Sequence, residues 1–129
     1  MKLINFLRFE DEFGVGAYML CTAAFDFNSF HPTFGEDHRL RENFRSAYPS
    51  LDYESFIFGF CDYSQILKWI PKSQLEMAFA QLEREGLQCT GYSGDVVEGG
   101  YQSLIRKKTA RRGRKIGFET LLKRIEETY

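Results

Sequence analysis

The sequence predicts an α+β fold: a mixed or mainly antiparallel sheet of about four to six strands, two central helices and a C-terminal helix packed in layers. Three observations carry this reading. Residues 54–92 run as strand, helix, helix and strand, each with its own punctuation. An apolar stretch near the start, KLINFLRF, supplies an opening strand. At the end, Phe118, Leu121, Leu122 and Ile125 fall at i, i+3, i+4 and i+7, the spacing of one buried helix face. At 129 residues the chain reads as a single domain, 1–129, long enough to bury a core without disulfides or metals.

In order, residues 2–9 form the opening strand, with Arg8 near its end. The acidic turn EDE (10–12) and the glycines of FGVGAY, Gly14 and Gly16, mark a loop. Gly-x-Gly without a third glycine or a following helix reads as a tight turn rather than a phosphate cradle. Residues 18–24 fit a short strand or a helix, and periodicity leaves the two open. Residues 25–34 place four phenylalanines among polar residues. Such a segment either packs over the core or lines a recognition surface, and burial of the rings favours packing. Residues 37–46 read as a charged helix ending before Tyr48-Pro49.

The central unit has the clearest signals. Residues 54–60 are apolar on both pleat faces, as in a buried strand. Asp62 precedes Gln65 by three positions, a capping-box spacing, and Ile66, Leu67, Trp69 and Ile70 follow until Pro71 stops the helix. Ser73 and Glu76 repeat the spacing ahead of Leu75, Ala78, Phe79 and Leu82, and Gly86 stands where a left-handed C′ residue belongs. Residues 87–92 return as a strand. Ser93-Gly94-Asp95 turns the chain, Val96 and Val97 lead to Gly99-Gly100, and residues 101–105 form a further strand. Residues 106–115 then read as a basic linker strip before a terminal helix over 117–129.

Net charge is −1 but unevenly spread. The strip RKKTARRGRK holds seven of the seventeen basic residues and no acids, so ten basic residues face eighteen acidic ones elsewhere, a balance of −8. An acidic body carrying one basic strip implies a polyanion or an acidic protein as partner rather than a membrane. No apolar stretch approaches the roughly 18 residues of a membrane span, and no secretory signal is recognisable. Cys21, Cys61 and Cys89 match no zinc or redox spacing, which suits three mostly buried thiols in a reducing cytoplasm.

Candidate chemistry is sparse. His31 and His38, with Glu36 and Asp37 between them, lack the three- or four-residue spacing of a helical metal site, so no metal is expected. Cys61 lies beside Asp62, whereas a reactive thiolate wants a cation or a histidine. No catalytic residue can be named. The strip is the strongest feature: Arg106, Lys107, Lys108, Arg111, Arg112, Arg114 and Lys115 are candidate contacts for an anionic partner, with Gly113 giving the segment freedom to conform. The alternative is a solvated linker folded against the acidic body. No DNA-reading motif accompanies the strip, so base specificity is not implied.

The segments LRFE, GVGAY, His31-Pro32, FGF with QILKWI, LEREGLQCTGY and GGYQSLI together resemble a group of small phage and prophage proteins, over residues 4–108. That resemblance implies a non-structural phage protein acting in the bacterial cytoplasm by binding a host component, in host takeover or anti-defence. A fainter resemblance is to the ADP-ribosyltransferase-like fold. It implies a dinucleotide site (NAD or ADP-ribose) in which Arg8 on the early strand grips the ligand. Residues 58–63, with Tyr63, would build the pocket, and Gln102 would stand where the late-strand Glu belongs. Gln cannot serve as that carboxylate, and Glu98 is displaced by four residues. Three functions follow as expectations: a binder of a host protein, an enzyme or sequestering protein for NAD or ADP-ribose nucleotides, and a nucleic-acid binder acting through residues 106–115.

Overall fold

Hydrophobic alternation along the first strand sets the layering. In this computed structural model, which describes residues 6–16 and 37–129, β1 (Phe6–Glu10) sends Leu7 and Phe9 to one face and Phe6, Arg8 and Glu10 to the other. The elements then follow as α1 (His38–Ala47), β2 (Phe56–Gly59), α2 (Tyr63–Trp69), α3 (Leu75–Arg84), β3 (Gln88–Ser93), β4 (Val96–Val97), β5 (Ser103–Arg106), β6 (Arg111–Ile116) and α4 (Phe118–Thr128). The expected segments at 18–24 and 25–34, with Cys21, His31 and Glu36, lie outside the described residues.

The strands form two antiparallel sheets, ordered β1-β3-β6 and β2-β5-β4. One bent hairpin builds two of the three strands of each. Its first arm is β3 followed by β4, and its second is β5 followed by β6. Val97 pairs Leu104 and Val96 pairs Ile105 on one side of the bend, and Ser93 pairs Arg111 and Tyr92 pairs Arg112 on the other. At the bend Gly94 takes φ 150°, and a Cβ there would meet the Thr109 carbonyl oxygen at 2.8 Å, so only glycine fits. Asp95 closes the corner, its N–H donating to Thr109 Oγ1 (3.1 Å) and its carbonyl accepting from Arg106 N (3.0 Å). Strands that bend from one sheet into another make the corners of orthogonally packed sheets.

The sheets also touch where β1 passes the end of β2. Leu7 and Phe60 exchange backbone hydrogen bonds of 2.6 and 2.8 Å. The Phe6 ring lies so close to Gly59 that a Cβ there would meet it at 2.3 Å.

Three apolar clusters correspond to the layers. The helix-side core joins Leu7, Phe9, Cys89 and Phe60 to Tyr63, Ile66, Trp69, Leu75, Phe79, Leu82, Leu121 and Ile125 from α2, α3 and α4. Between the sheets lie Phe6, Tyr92 and Ile105, with Ile57, Val96 and Ala110 against them. On the far side of β2 and β5, Leu40 and Phe44 of α1 cover Phe56, Val97 and Leu104. Among the described residues no helix is long and apolar enough to cross a membrane.

Local punctuation agrees in most places. Asp37 caps α1 through Leu40 N (3.1 Å), and Asp62 caps α2 through Ser64 N (2.7 Å). The depressed pKa of Asp62 follows first from that backbone N–H. Gly86 ends α3 in a Schellman turn, with Leu87 N donating to Leu82 O and Gly86 N to Glu83 O. The capping box expected at Ser73 and Glu76 does not form. A 3-10 turn, Lys72–Gln74, delivers the chain into α3, and Gln74 occupies the N-cap without a side-chain bond. The buried strand expected over 54–60 is shortened too: Tyr53–Ser55 is a 3-10 turn, and Phe58 is half-buried.

Trp69 is 3% exposed, and its Nε1–H donates to Tyr101 O at 2.9 Å. Trp69→Ala is expected to cost about 3–5 kcal/mol in urea denaturation. Met77→Ala, at a side chain 56% exposed on the neighbouring helix, should stay within about 0.5 kcal/mol. A Trp69→Ala cost below about 1 kcal/mol would refute its place in the core.

Candidate functional site

Glu10 ends β1 fully buried, on the face that looks between the sheets. Its Oε1 accepts from Arg8 Nε at 3.1 Å and from the Tyr92 hydroxyl at 2.6 Å. Its Oε2 accepts from Arg112 Nε and Nη2, both at 2.8 Å. A buried carboxylate is tolerated only when its lone pairs are filled in this way. The two guanidiniums carry the network outward. Arg8 Nη1 donates to Phe58 O (2.7 Å) and Nη2 to Gly14 O (3.4 Å), while Arg112 reaches the carbonyls of Glu12 (3.0 Å) and Asp11 (3.1 Å). The turn over residues 11–16 is thus stapled from both sides. Asp11 Oδ1 adds bonds from Phe13 N and Val15 N. Burial, and then the hydrogen bond and charge of Glu10, push the Tyr92 phenol up to about 12.

Residues 106–115 are not a linker. Arg106 ends β5, the next four residues turn, and residues 111–115 belong to β6, the outer strand of its sheet. Pairing with β3 imposes this on a segment with almost no apolar alternation. A register shift opposite Thr90 and Tyr92 puts Gly113 close to Gly91, where a Cβ would meet the Gly91 oxygen at 2.8 Å.

The strip therefore divides. Arg112 is bound to Glu10, and the Arg106 guanidinium lies 5.5 Å from the Tyr48 ring centroid, a cation–π contact. Lys107, Lys108, Arg111, Arg114 and Lys115 are exposed and form no ion pair among the described residues.

The residues expected at a nucleotide site are separated. Arg8 lies between the sheets, whereas Tyr63 is buried in the helix-side core with Leu7 and Phe9, on the opposite face of β1. Gln102 is buried just ahead of β5, in a loop wrapped around Asp37. Asp37 accepts there from the backbone N–H groups of Gly100, Tyr101 and Gln102 as well as Leu40. Glu98 is turned to the surface, where it pairs with Arg39 at 2.6 Å.

Cys61 is half-buried, and burial raises its thiol pKa despite a 3.1 Å hydrogen bond from Ser103 Oγ. Gln65 braces this corner, accepting from Cys61 N (2.9 Å) and donating to Gly99 O (2.8 Å). A thiol held in its protonated form is a poor nucleophile. Cys89, in the helix-side core, is pushed up to about 12 by burial. His38 sits at the start of α1 with its ring 3.1 Å from Arg41 Nη2, and among the described residues no cluster of metal-ligating side chains forms.

Two features escaped sequence reasoning. Glu10 looked like one acid in an acidic turn. Nearby Arg8 marks Glu10 or Glu12 as a surface ion-pair partner, and only parity with Phe6 and Arg8 signals that Glu10 is buried. Phe13, 83% exposed, and Val15, 42% exposed, project from the stapled turn; an aromatic set between the acidic run 10–12 and Gly14 was the available hint.

Tyr92 generates a pH prediction. A phenol whose folded pKa exceeds its unfolded value near 10 contributes stability that is whole below pH 10 and lost as pH climbs toward about 12. Tyr92→Phe should therefore lose less stability than the parent between pH 9 and pH 11.5, measured by denaturant unfolding at each pH. Equal alkaline losses in the two proteins would place Tyr92 outside the Glu10 network.

A family model described as Bacteriophage T4 Y00F protein matches residues 1–119. No curated protein and no solved structure matches the chain. The match extends from the opening residues through β6 and into the first residues of α4. The chain belongs to the Bacteriophage T4 Y00F protein family.

Proposed function

We propose that this phage protein is an accessory factor that acts in the bacterial cytoplasm by binding a host protein, for host takeover or anti-defence, and that the free cations of the basic strip form its contact. The carrying observation is the division of the strip. Two of its seven charges are taken up internally, and five stand exposed without ion pairs among the described residues. Cations this close repel one another at physiological salt, where the Debye length is about 8 Å. Their accumulation raises the free energy of the isolated protein, and an acidic partner relieves it.

Nucleic acid would relieve the same repulsion. The rest of the chain, at −8, opposes a long polyanion more than it opposes a partner whose negative charge is confined to one patch. The nucleotide reading, with its likeness to ADP-ribosyltransferases, has weaker support. Arg8 is engaged by Glu10 and two carbonyls, and Tyr63 lies on the other side of the sheet.

The test is a triple charge reversal, Arg111→Glu, Arg114→Glu and Lys115→Glu, which spares Arg112. Capture of the bound host protein from bacterial lysate should fall at least tenfold, with unfolding free energy changed by no more than about 0.5 kcal/mol per site. Undiminished capture would remove the strip from the interface. Nuclease-sensitive capture would replace the host protein with nucleic acid.

A further inference from the structure

We propose that the free edge of β6 receives an extended acidic segment of the partner as an added antiparallel or parallel strand, anchored by an apolar side chain against Phe13. This rests on the binding role proposed above and names the chemistry of its partner. β6 is terminal in the order β1-β3-β6, and among the described residues it pairs only with β3. Such an edge presents a row of N–H and C=O groups, the template used in strand-addition recognition. Its five residues from Arg111 to Lys115 are all exposed.

The charge on this edge selects among occupants. A second copy of the chain would bring Arg111, Arg114 and Lys115 against their own counterparts, and like charges directly opposite destabilise a strand pair. The basic side chains thus guard against self-pairing. A nucleic acid satisfies the cations and the N–H groups, but its phosphate oxygens face the strand carbonyls without a donor to offer. An acidic peptide answers all three: its backbone N–H groups meet the carbonyls, its carbonyls meet the N–H groups, and its carboxylates meet the cations.

Phe13 supplies a second, independent observation. It is 83% exposed on a turn that is not loose: Arg112 of β6 grips the carbonyls of Asp11 and Glu12, and Asp11 Oδ1 holds Phe13 N at 2.9 Å. An aromatic ring on a turn held by a side chain of the cationic strand is the kind of anchor that concentrates binding free energy in protein interfaces. Glu10 serves as a positioning residue here, since its carboxylate holds the arginine that joins strand to turn.

The test uses the full chain and synthetic peptides nine residues long, alternating glutamate with valine or isoleucine, read by fluorescence anisotropy. Two further versions carry backbone N-methyl groups at the odd or at the even positions. A strand docking by one edge uses the N–H groups of alternate residues. One methylated version should therefore bind at least tenfold more weakly than the parent peptide, and the other should bind within about twofold. Phe13→Ala should weaken the parent peptide several-fold without lowering the melting temperature. Duplex DNA of equal charge should bind more weakly than the peptide.

Equal binding by both methylated versions, tighter binding of the DNA, or no peptide binding at millimolar concentration would each overturn strand addition. These failures are separable from that of the broader reading. If the triple reversal abolishes host-protein capture while the methylated peptides behave alike, the strip binds its partner but not as a strand. If the reversal leaves capture intact, the broader reading itself falls.

Discussion

The carboxylate of Glu10 joins the first strand of the fold to the last. It is buried between the sheets with a hydrogen bond or ion pair to Arg8, Tyr92 and Arg112, residues of β1, β3 and β6. Each strand of that sheet is thus tied to one anion, and the turn after β1 is tied to it through the two guanidiniums. Removing the anion would leave two arginines facing each other, one of them 12% exposed, which costs more than the pair itself contributes. The network therefore serves definition more than strength: it ties β6 to β1 across β3 and fixes how the 11–16 turn stands over them.

The bent hairpin gives that definition its reach. Because β3 runs into β4 and β5 into β6, one chain reversal supplies pairing to both sheets and fixes their relative orientation. Asp37 does at the hairpin loop what Glu10 does at the far end, gathering four backbone N–H groups on one buried carboxylate and fastening α1 to the loop. Two buried acids thus hold the extremities, while the aromatic clusters fill the space between. The cations left over are collected on an edge strand and on the turn before it, and among the described residues that strand pairs on one side only. A surface of that kind is pre-organised, and binding to it loses little conformational entropy.

Features that depend on neighbours in sequence were legible. The α4 stripe, the Asp62 cap, the stop at Pro71 and the left-handed Gly86 all appear where local spacing placed them. The α+β class followed from those same elements. Features set by distant partners were not legible. RRGRKI has a single apolar residue, and only hydrogen bonding to β3 makes it a strand, a tertiary override of weak strand propensity. Glu10 and Glu12 are indistinguishable locally, yet one is buried because β1 runs one residue past the expected end and keeps its parity. The expected capping box at Ser73 failed because Pro71 leads the chain into a 3-10 turn, which moves the helix start to Leu75. For the site, the strip was visible by composition, but its division into bound and free charges required distant partners, Glu10 for Arg112 and Tyr48 for Arg106.

That division is the central claim, and a pair of double-mutant cycles in urea tests it most directly. Glu10→Gln combined with Arg112→Gln should show a coupling of at least about 1 kcal/mol, as expected for residues sharing one buried network. Glu10→Gln combined with Arg111→Gln, the adjacent strip residue, should be additive within about 0.5 kcal/mol. Additivity in the first cycle, or equal coupling in both, would contradict the account, because the charges of β6 would then not be sorted between the fold and the surface.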